Sequence, residues 1–210
     1  MPRGNIVKGG LFLRIIVGVT GASGAVYGWE LLKFLKDTEH EIHSVISVNG
    51  WKVLAHECGI TNNDIIENVD YLRDIDDMGA AIASGSFKTD AMVVAPCSMR
   101  TLAAIAHGFA DDLLCRAADV IIKERRRLVF MPRETPLSSI HLRNMLALSD
   151  AGVTMLPACP GYYHLPKNVD DLVKIIISRS LDALGVENQL VGRRSGQWPR
   201  CSLKRRDMDN

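Results

Sequence analysis

Short β-branched apolar runs alternate with longer stretches of helical period along this chain. Ile15–Val19 is bounded by Gly, Thr and Ser and predicts a buried strand. Ala25–Leu35 places Leu31, Leu32 and Leu35 on one side, the spacing of an amphipathic helix. Ile42–Ser47 predicts a second strand and Lys52–Glu57 part of a helix. Residues 60–80 are polar and aperiodic, which predicts loop with some helix. Ala91–Ala95 predicts the third strand, Thr101–His107 a short helix, and Leu113–Glu124 a longer one that ends in the cationic run Lys123–Arg127. Leu128–Met131 and Val153–Leu156 predict the fourth and fifth strands, with a helix over Ser138–Ser149 between them. Val169–Leu184 is the last long helix. Strands alternating with helices predict a parallel sheet of at least five strands covered on both faces. Right-handed crossovers then bring every strand's carboxyl end to one edge, where open α/β sheets bind ligands.

Five segments fall on that edge. They are Thr20-Gly21-Ala22-Ser23-Gly24, Ser47-Val48-Asn49-Gly50, Pro96-Cys97-Ser98-Met99-Arg100-Thr101, Pro132-Arg133-Glu134-Thr135-Pro136, and Pro157-Ala158-Cys159-Pro160-Gly161-Tyr162-Tyr163. Each is an ordinary turn by composition, and five together suggest a ligand site. In the first, Gly21 and Gly24 permit a tight turn, and the helix that follows offers free N–H groups to a phosphate. The spacing of Gly18, Gly21 and Gly24 is GxxGxxG, which departs from the dinucleotide fingerprint. Ser98–Thr101 supplies a second helix start with two hydroxyls and a guanidinium. Two such cradles point to a monophosphate ligand or to two separate phosphates.

The chain has 210 residues, of which 47% are hydrophobic, enough for one sizeable core. We expect a single domain over residues 1–191 and a basic tail over 192–210, where Arg193, Arg194, Arg200, Lys204, Arg205 and Arg206 face only two acidic residues. The net charge of +1 predicts no general affinity for nucleic acid. Arg3 and Lys8 precede an apolar run, as in a signal peptide, but Arg14 interrupts it and a Gly/Ser turn follows, so a buried first strand is expected. No stretch has the apolar length of a membrane span. The five cysteines form no CxxC pair and no metal-spaced Cys/His cluster, so free thiols and a cytoplasmic location are expected. For the cationic run, a solvated helix end is the expectation for Arg125, Arg126 and Arg127. His141 reads as a structural hydrogen-bonding residue, and Tyr162 and Tyr163 read equally as packing residues.

The blocks VTGASGA, APCSMRTLA, RAADVIIKERRRLV, PRETPLSSIHLRNMLALS and PACPGYYH resemble the signature blocks of UbiX-like flavin prenyltransferases. The segment AIASGSFKTD, Ala81–Asp90, is most similar to the branch of phenolic acid decarboxylase B subunits. The resemblance runs from about Ile15 to Gly185. It implies a three-layer Rossmann-like or flavodoxin-like α/β flavoprotein with a parallel sheet. It also implies an enzyme that joins a dimethylallyl group from dimethylallyl monophosphate to N5 and C6 of reduced FMN, without a metal. The product would serve a UbiD-like decarboxylase. Transferred positions put FMN on Gly21, Ala22, Ser23, Ser47, Ser98, Met99, Arg100, Thr101 and Arg133. The prenyl phosphate falls on Lys123, Arg133, Glu134, Tyr163 and Arg179, with Arg116 helping. Glu57 falls on the family's acid/base glutamate, and Ser23, Lys123 and Glu134 complete the catalytic set. The family forms homododecamers whose sites lie between subunits. Arg194 holds the register where the family often places a Trp, and the late Trp here is Trp198.

The chemistry suits these side chains. Allyl–phosphate cleavage leaves a phosphate dianion that Lys123, Arg133 and Arg179 would stabilise, and ring closure needs a base such as Glu57. Two other readings stay open at this point. One is a flavin-dependent cysteine decarboxylase, although Pro132–Pro136 stands where that class has a PxMNxxMW-like block. The other is a non-catalytic FMN-binding subunit of a hydroxyarylic acid decarboxylase.

Overall fold

The computed structural model describes residues 11–192. The readings placed on Arg3 and Lys8, on the basic tail beyond 192, on Arg194 and on Trp198 lie outside the described residues. Six strands form one sheet: β1 (Arg14–Val19), β2 (Glu41–Ile46), β3 (Tyr71–Arg73), β4 (Ala91–Cys97), β5 (Arg127–Pro132) and β6 (Thr154–Met155). Every neighbouring pair is parallel, in the order β3-β2-β1-β4-β5-β6. Between them run α1 (Ala25–Lys36), α2 (Val48–Cys58), α3 (Asn62–Glu67), α4 (Met99–Ala106), α5 (Leu113–Lys123), α6 (Ser139–Asp150) and α7 (Val169–Leu184). No helix among the described residues is long and apolar enough to cross a membrane.

The three layers follow from the two-residue period of a strand. Ile15, Val17 and Val19 point to one face, where they pack with Leu31 and Leu35 of α1 and Ile177 and Leu181 of α7. Ile16 points to the other, with Met92, Val94 and Phe130, against Leu114, Ala118 and Ile121 of α5. Strands covered on both faces carry apolar residues at every position. That is why β1, β4 and β5 read as continuous apolar runs rather than alternating ones.

Three expectations change. Ser47 leaves the second strand and caps α2, which begins at Val48, so no loop separates β2 from its helix. Residues 60–80 contain α3 and a strand, β3, that pairs with β2 through His43↔Tyr71 to Val45↔Arg73. Arg126 is not left to solvent. Arg126 donates to the carbonyls of Gly85 (2.7 Å) and Phe87 (3.1 Å) and to the Thr89 hydroxyl. Arg127 donates to Leu184 O at 3.0 Å, where a cation meets the carbonyl end of α7. Arg125 and Arg127 both remain exposed, as expected of a solvated run. His141 is structural as expected: it forms a capping box with Ser138 at the start of α6.

The short strand β3 is held by side chains rather than by its own apolar content. His43 stacks on Tyr71 with ring centroids 4.6 Å apart, and the Arg73 guanidinium lies 4.6 Å over the same ring. His43 Nε2 donates to Glu41 Oε1 at 2.7 Å, an oxygen that Arg14 Nε also holds at 2.6 Å. Burial pushes the His43 pKa below its usual 6.5; Glu41 pulls the other way, and Arg73 and Arg14 add to the depression. The unfolded chain therefore takes up the extra proton first as pH falls below 6.5, and stability falls with it. His40 is shifted in the same direction by burial. Urea midpoints measured at falling pH should decline through this window, and His43→Phe should remove part of the slope. A slope equal to that of the unaltered protein would show that His43 is not held neutral by the fold.

Candidate active site

β1 and β4 are neighbours in the sheet, yet their crossovers leave toward opposite faces. The chain after β1 enters α1 on the face of Leu31. The chain after β4 enters α4 and α5 on the face of Phe130. A crevice opens at such a switch point, outside the strand ends. Thr20 closes its floor. This side chain is buried; its Oγ1 donates to Pro96 O at 2.8 Å and accepts from Ser98 N at 2.7 Å.

The first loop has a different role from the one its glycines suggested. Gly24, the residue before α1, has φ 99° and no side chain with which to cap the helix. The cap comes from α2: Glu57 Oε2 accepts from Gly24 N (2.8 Å) and Ala25 N (2.9 Å). Two of the N–H groups expected to meet a phosphate thus hold a carboxylate. Burial pushes the Glu57 carboxyl up, but the Ser23 hydroxyl, the two amides and the Arg133 charge outweigh it, and its pKa falls below the usual value. Arg133 reaches across from the end of β5 and donates from Nε to Ser23 O at 2.9 Å. Ser23, Glu57 and Arg133 therefore meet, from the loop after β1, the last turn of α2 and the end of β5. Glu134 sits beside them on the exposed β5–α6 loop, where its Oε1 accepts from Thr135 N.

The second cradle is open to an anion. Ser98 caps α4 by accepting from Thr101 N, and the two hydroxyls lie 3.1 Å apart. The first turn of α4 has no acidic side chain and carries Arg100, which is exposed. Ser47, at the end of β2, caps α2 through Gly50 N at 3.0 Å. Gly21 packs so close to Asn49 of α2 that a Cβ there would come within 2.5 Å of the Asn49 Cβ. The backbone of Gly21 and Ala22 thus runs flush along the crevice wall.

The remaining expected residues stand elsewhere in this chain. Lys123 closes α5 and meets Glu124 at 2.8 Å. It precedes β5, whereas Arg133 follows it. Six strand residues at about 3.3 Å each put roughly 20 Å between them. Arg116 lies mid-way along α5, bonded to Ala83 O and Asp119. Arg179, on the exposed side of α7, pairs with Asp182 at 3.2 Å. It stands between a cavity of about 550 Å³ beside Met155, Pro157 and Cys159 and one of about 630 Å³ beside His164, Ser178 and Glu187. Neither cavity is lined by Ser23, Glu57 or Arg133. Tyr163 is on the β6–α7 segment and largely exposed, as is Tyr162, so neither serves core packing.

Residues 11–181 match the Flavoprotein family. The flavin prenyltransferase UbiX of Halalkalibacterium halodurans is 48% identical over 187 residues, 84% of this chain and 91% of that protein. The chain belongs to the UbiX-like flavin prenyltransferase family. Among solved structures, AnUbiX (PadA1) in complex with FMN and dimethylallyl pyrophosphate superposes with a TM-score of 0.87 at 42% identity, covering 90% of this chain and all of that one. A dodecameric FMN-dependent UbiX-like decarboxylase from Escherichia coli O157:H7 gives 0.82 at 47% identity, covering 84% and 97%. Sequence reasoning missed Thr20 within this UbiX-like site. Its only signal was a hydroxyl directly after a fully apolar strand, where the next buried position has no apolar reason to be Thr.

Glu57→Ala should leave the start of α1 uncapped and cost about 0.5–2 kcal/mol, the range for losing a helix cap. Glu57→Gln keeps a neutral acceptor and should cost less. Urea unfolding of both variants checks this; equal stability of Glu57→Ala and the unaltered protein would remove the capping role.

Proposed function

We propose that the carboxyl edge of this sheet joins a dimethylallyl group from dimethylallyl monophosphate to N5 and C6 of reduced FMN. The chain is a flavin prenyltransferase, and FMN is its acceptor. The observation that carries the site is the meeting of Ser23, Glu57 and Arg133 at the β1/β4 switch point. Those residues come from the loop after β1, the last turn of α2 and the end of β5, and the family pattern assigns all three to FMN or to catalysis.

FMN fits this edge because the residues divide its parts. Its phosphate suits the open start of α4, with Ser98, Met99, Arg100 and Thr101, since Glu57 already fills the start of α1 with negative charge. Gly21, Ala22 and Ser47 line the wall along which the rings would lie. When bound and reduced, FMN supplies the nucleophile. Glu57 is held ionised, so it is ready to accept the proton lost on ring closure; its hydrogen bonds also weaken it as a base, and moving that proton requires Ser23 or an amide to release it. The Ser23 hydroxyl is one of the groups that keep the Glu57 carboxyl below its usual pKa.

The donor half needs more positive charge than one chain places there. Cleavage of the allyl–phosphate bond leaves a dianion, which Arg133 can hold from this edge. Lys123 lies at the opposite end of β5 from Arg133, and we infer that a neighbouring copy brings it, with Arg116, Arg179, Tyr163 and Glu134 completing the donor half at the seam. The exposed apolar side chains of Leu137, Ile140, Leu142 and Leu146 on and before α6, and of Tyr162 and Leu165 near the edge, favour an assembling protein. A homododecamer is the expected assembly. The four described cysteines are free thiols, which suits the cytoplasm, and a UbiD-like decarboxylase is the partner we propose for the product. A carrier subunit has no need of Lys123, Glu134 and Arg179, and a cysteine decarboxylase would place another block at the β5 end.

The division of the site between copies has a direct test. Arg133→Ala and Lys123→Ala should each abolish most prenyl transfer to reduced FMN as pure oligomers. Oligomers assembled from a mixture of the two should regain activity, because some sites then hold an intact Arg133 from one copy and an intact Lys123 from another. No recovery in verified mixed oligomers would show that both residues must come from a single chain.

A further inference from the structure

Thr20 is the one fully buried hydroxyl that ties two of the site's loops together. It is 1% exposed. Its Oγ1 donates to Pro96 O at 2.8 Å and accepts from Ser98 N at 2.7 Å, while its own amide donates to the same Pro96 carbonyl at 3.2 Å. A hydroxyl can give and take a hydrogen bond at once; of the residues that fit this volume, only Thr and Ser do so. The two loops it joins leave the sheet toward opposite faces, so no helix packing couples them directly at this point.

We propose that Thr20 is a positioning residue that sets the distance between the two ends of the flavin site. This rests on the flavin reading above. On one side of the hydroxyl, Ser98 N opens the turn whose side chains cap α4 and whose helix start would take the phosphate. On the other side, the chain passes within three residues to Ser23, whose carbonyl holds Arg133 and whose hydroxyl holds Glu57. Thr20 therefore links the phosphate end to the reacting end through four consecutive contacts: Ser98 N to Thr20 Oγ1, the backbone to Ser23, and from Ser23 to Glu57 and Arg133. Without the hydroxyl the Ser98 N–H loses its partner in a buried place. It would be satisfied only by a shift of the α4 turn or by entry of water, and either change moves the phosphate cradle relative to Ser23.

The experiment compares Thr20→Val, which keeps the shape and removes both bonds, with Thr20→Ser, which keeps the hydroxyl. FMN affinity is read by flavin fluorescence well below the melting temperature, and steady-state constants are read for FMN and for dimethylallyl monophosphate separately. Thr20→Val should bind FMN about ten- to a hundredfold more weakly and raise KM for FMN, while KM for the donor at saturating FMN stays close to normal. Thr20→Ser should restore FMN affinity. A purely structural role would lower the melting temperature of Thr20→Val without this split. If Thr20→Val does not accumulate as folded protein, Thr20→Ala removes the hydroxyl without setting a methyl against Ser98 N and serves in the same comparison. Normal FMN affinity in the folded hydroxyl-free variant, beside an unaltered protein that binds FMN, would overturn the role of Thr20. Failure of the unaltered protein to bind FMN would overturn the flavin reading itself, and the proposal with it.

Discussion

The pairing of β1 with β4 is the constraint on which the site depends. Both strands are buried on both faces and run parallel through the middle of the sheet. Their crossovers part company at the carboxyl ends, one over each face. Backbone hydrogen bonds satisfy the strands up to Val19 and Cys97, and beyond that the ladder ends. Polar groups there must find other partners, because burying them unpaired is costly. Thr20 supplies one set, Ser98 and Ser47 another, and Glu57 a third. The crevice is thus lined by groups that first solve a folding problem and are then available, at fixed positions, to a ligand.

Charge is distributed with the same economy. A helix start attracts an anion, and this edge offers three: α1, α2 and α4. The first is closed by Glu57 of the chain itself; Ser47 and Ser98 cap the second and third in the same way, and the third adds the Arg100 guanidinium and the Thr101 hydroxyl. In the proposed function this ordering gives the site a phosphate end and a proton-handling end without any long loop. Glu57 is held ionised against its burial by the Ser23 hydroxyl and the Gly24 and Ala25 amides, with the Arg133 charge adding to them. Of the cations proposed for a departing phosphate, Lys123 closes α5 at the opposite end of β5 from Arg133, and Arg179 stands on the exposed side of α7.

Much of the architecture was legible because the central strands are covered twice. Double coverage makes β1, β4 and β5 apolar at every position, and the helices between them show a clear one-sided period. The edge was harder to read. β3 has three residues, and what fixes it is the stacking of His43 on Tyr71 from a different strand, which no local pattern reveals. Arg126 looked solvated because charge in a cationic run predicts water, whereas its two terminal guanidinium nitrogens serve the carbonyls of residues 85 and 87 and the Thr89 hydroxyl. Ser47 was read as strand because Ile42–Ile46 runs straight into it without a turn. At the site, residue types and family pattern were enough to name Ser23, Glu57 and Arg133. They could not show that Glu57 caps α1, since the capped helix lies 32 residues away in sequence. Chain order did place Lys123 before β5 and Arg133 after it, but the family blocks group them in one site without saying whether a single copy supplies both.

The central claim is that this edge performs a prenyl transfer rather than merely holding a flavin. It is tested most directly by incubating the purified protein with reduced FMN and dimethylallyl monophosphate and weighing the flavin released on denaturation. The account predicts a flavin heavier than FMN by one five-carbon prenyl unit, formed only when both compounds and the protein are present. Flavin recovered at the mass of FMN, from protein shown to have bound both compounds, would contradict it.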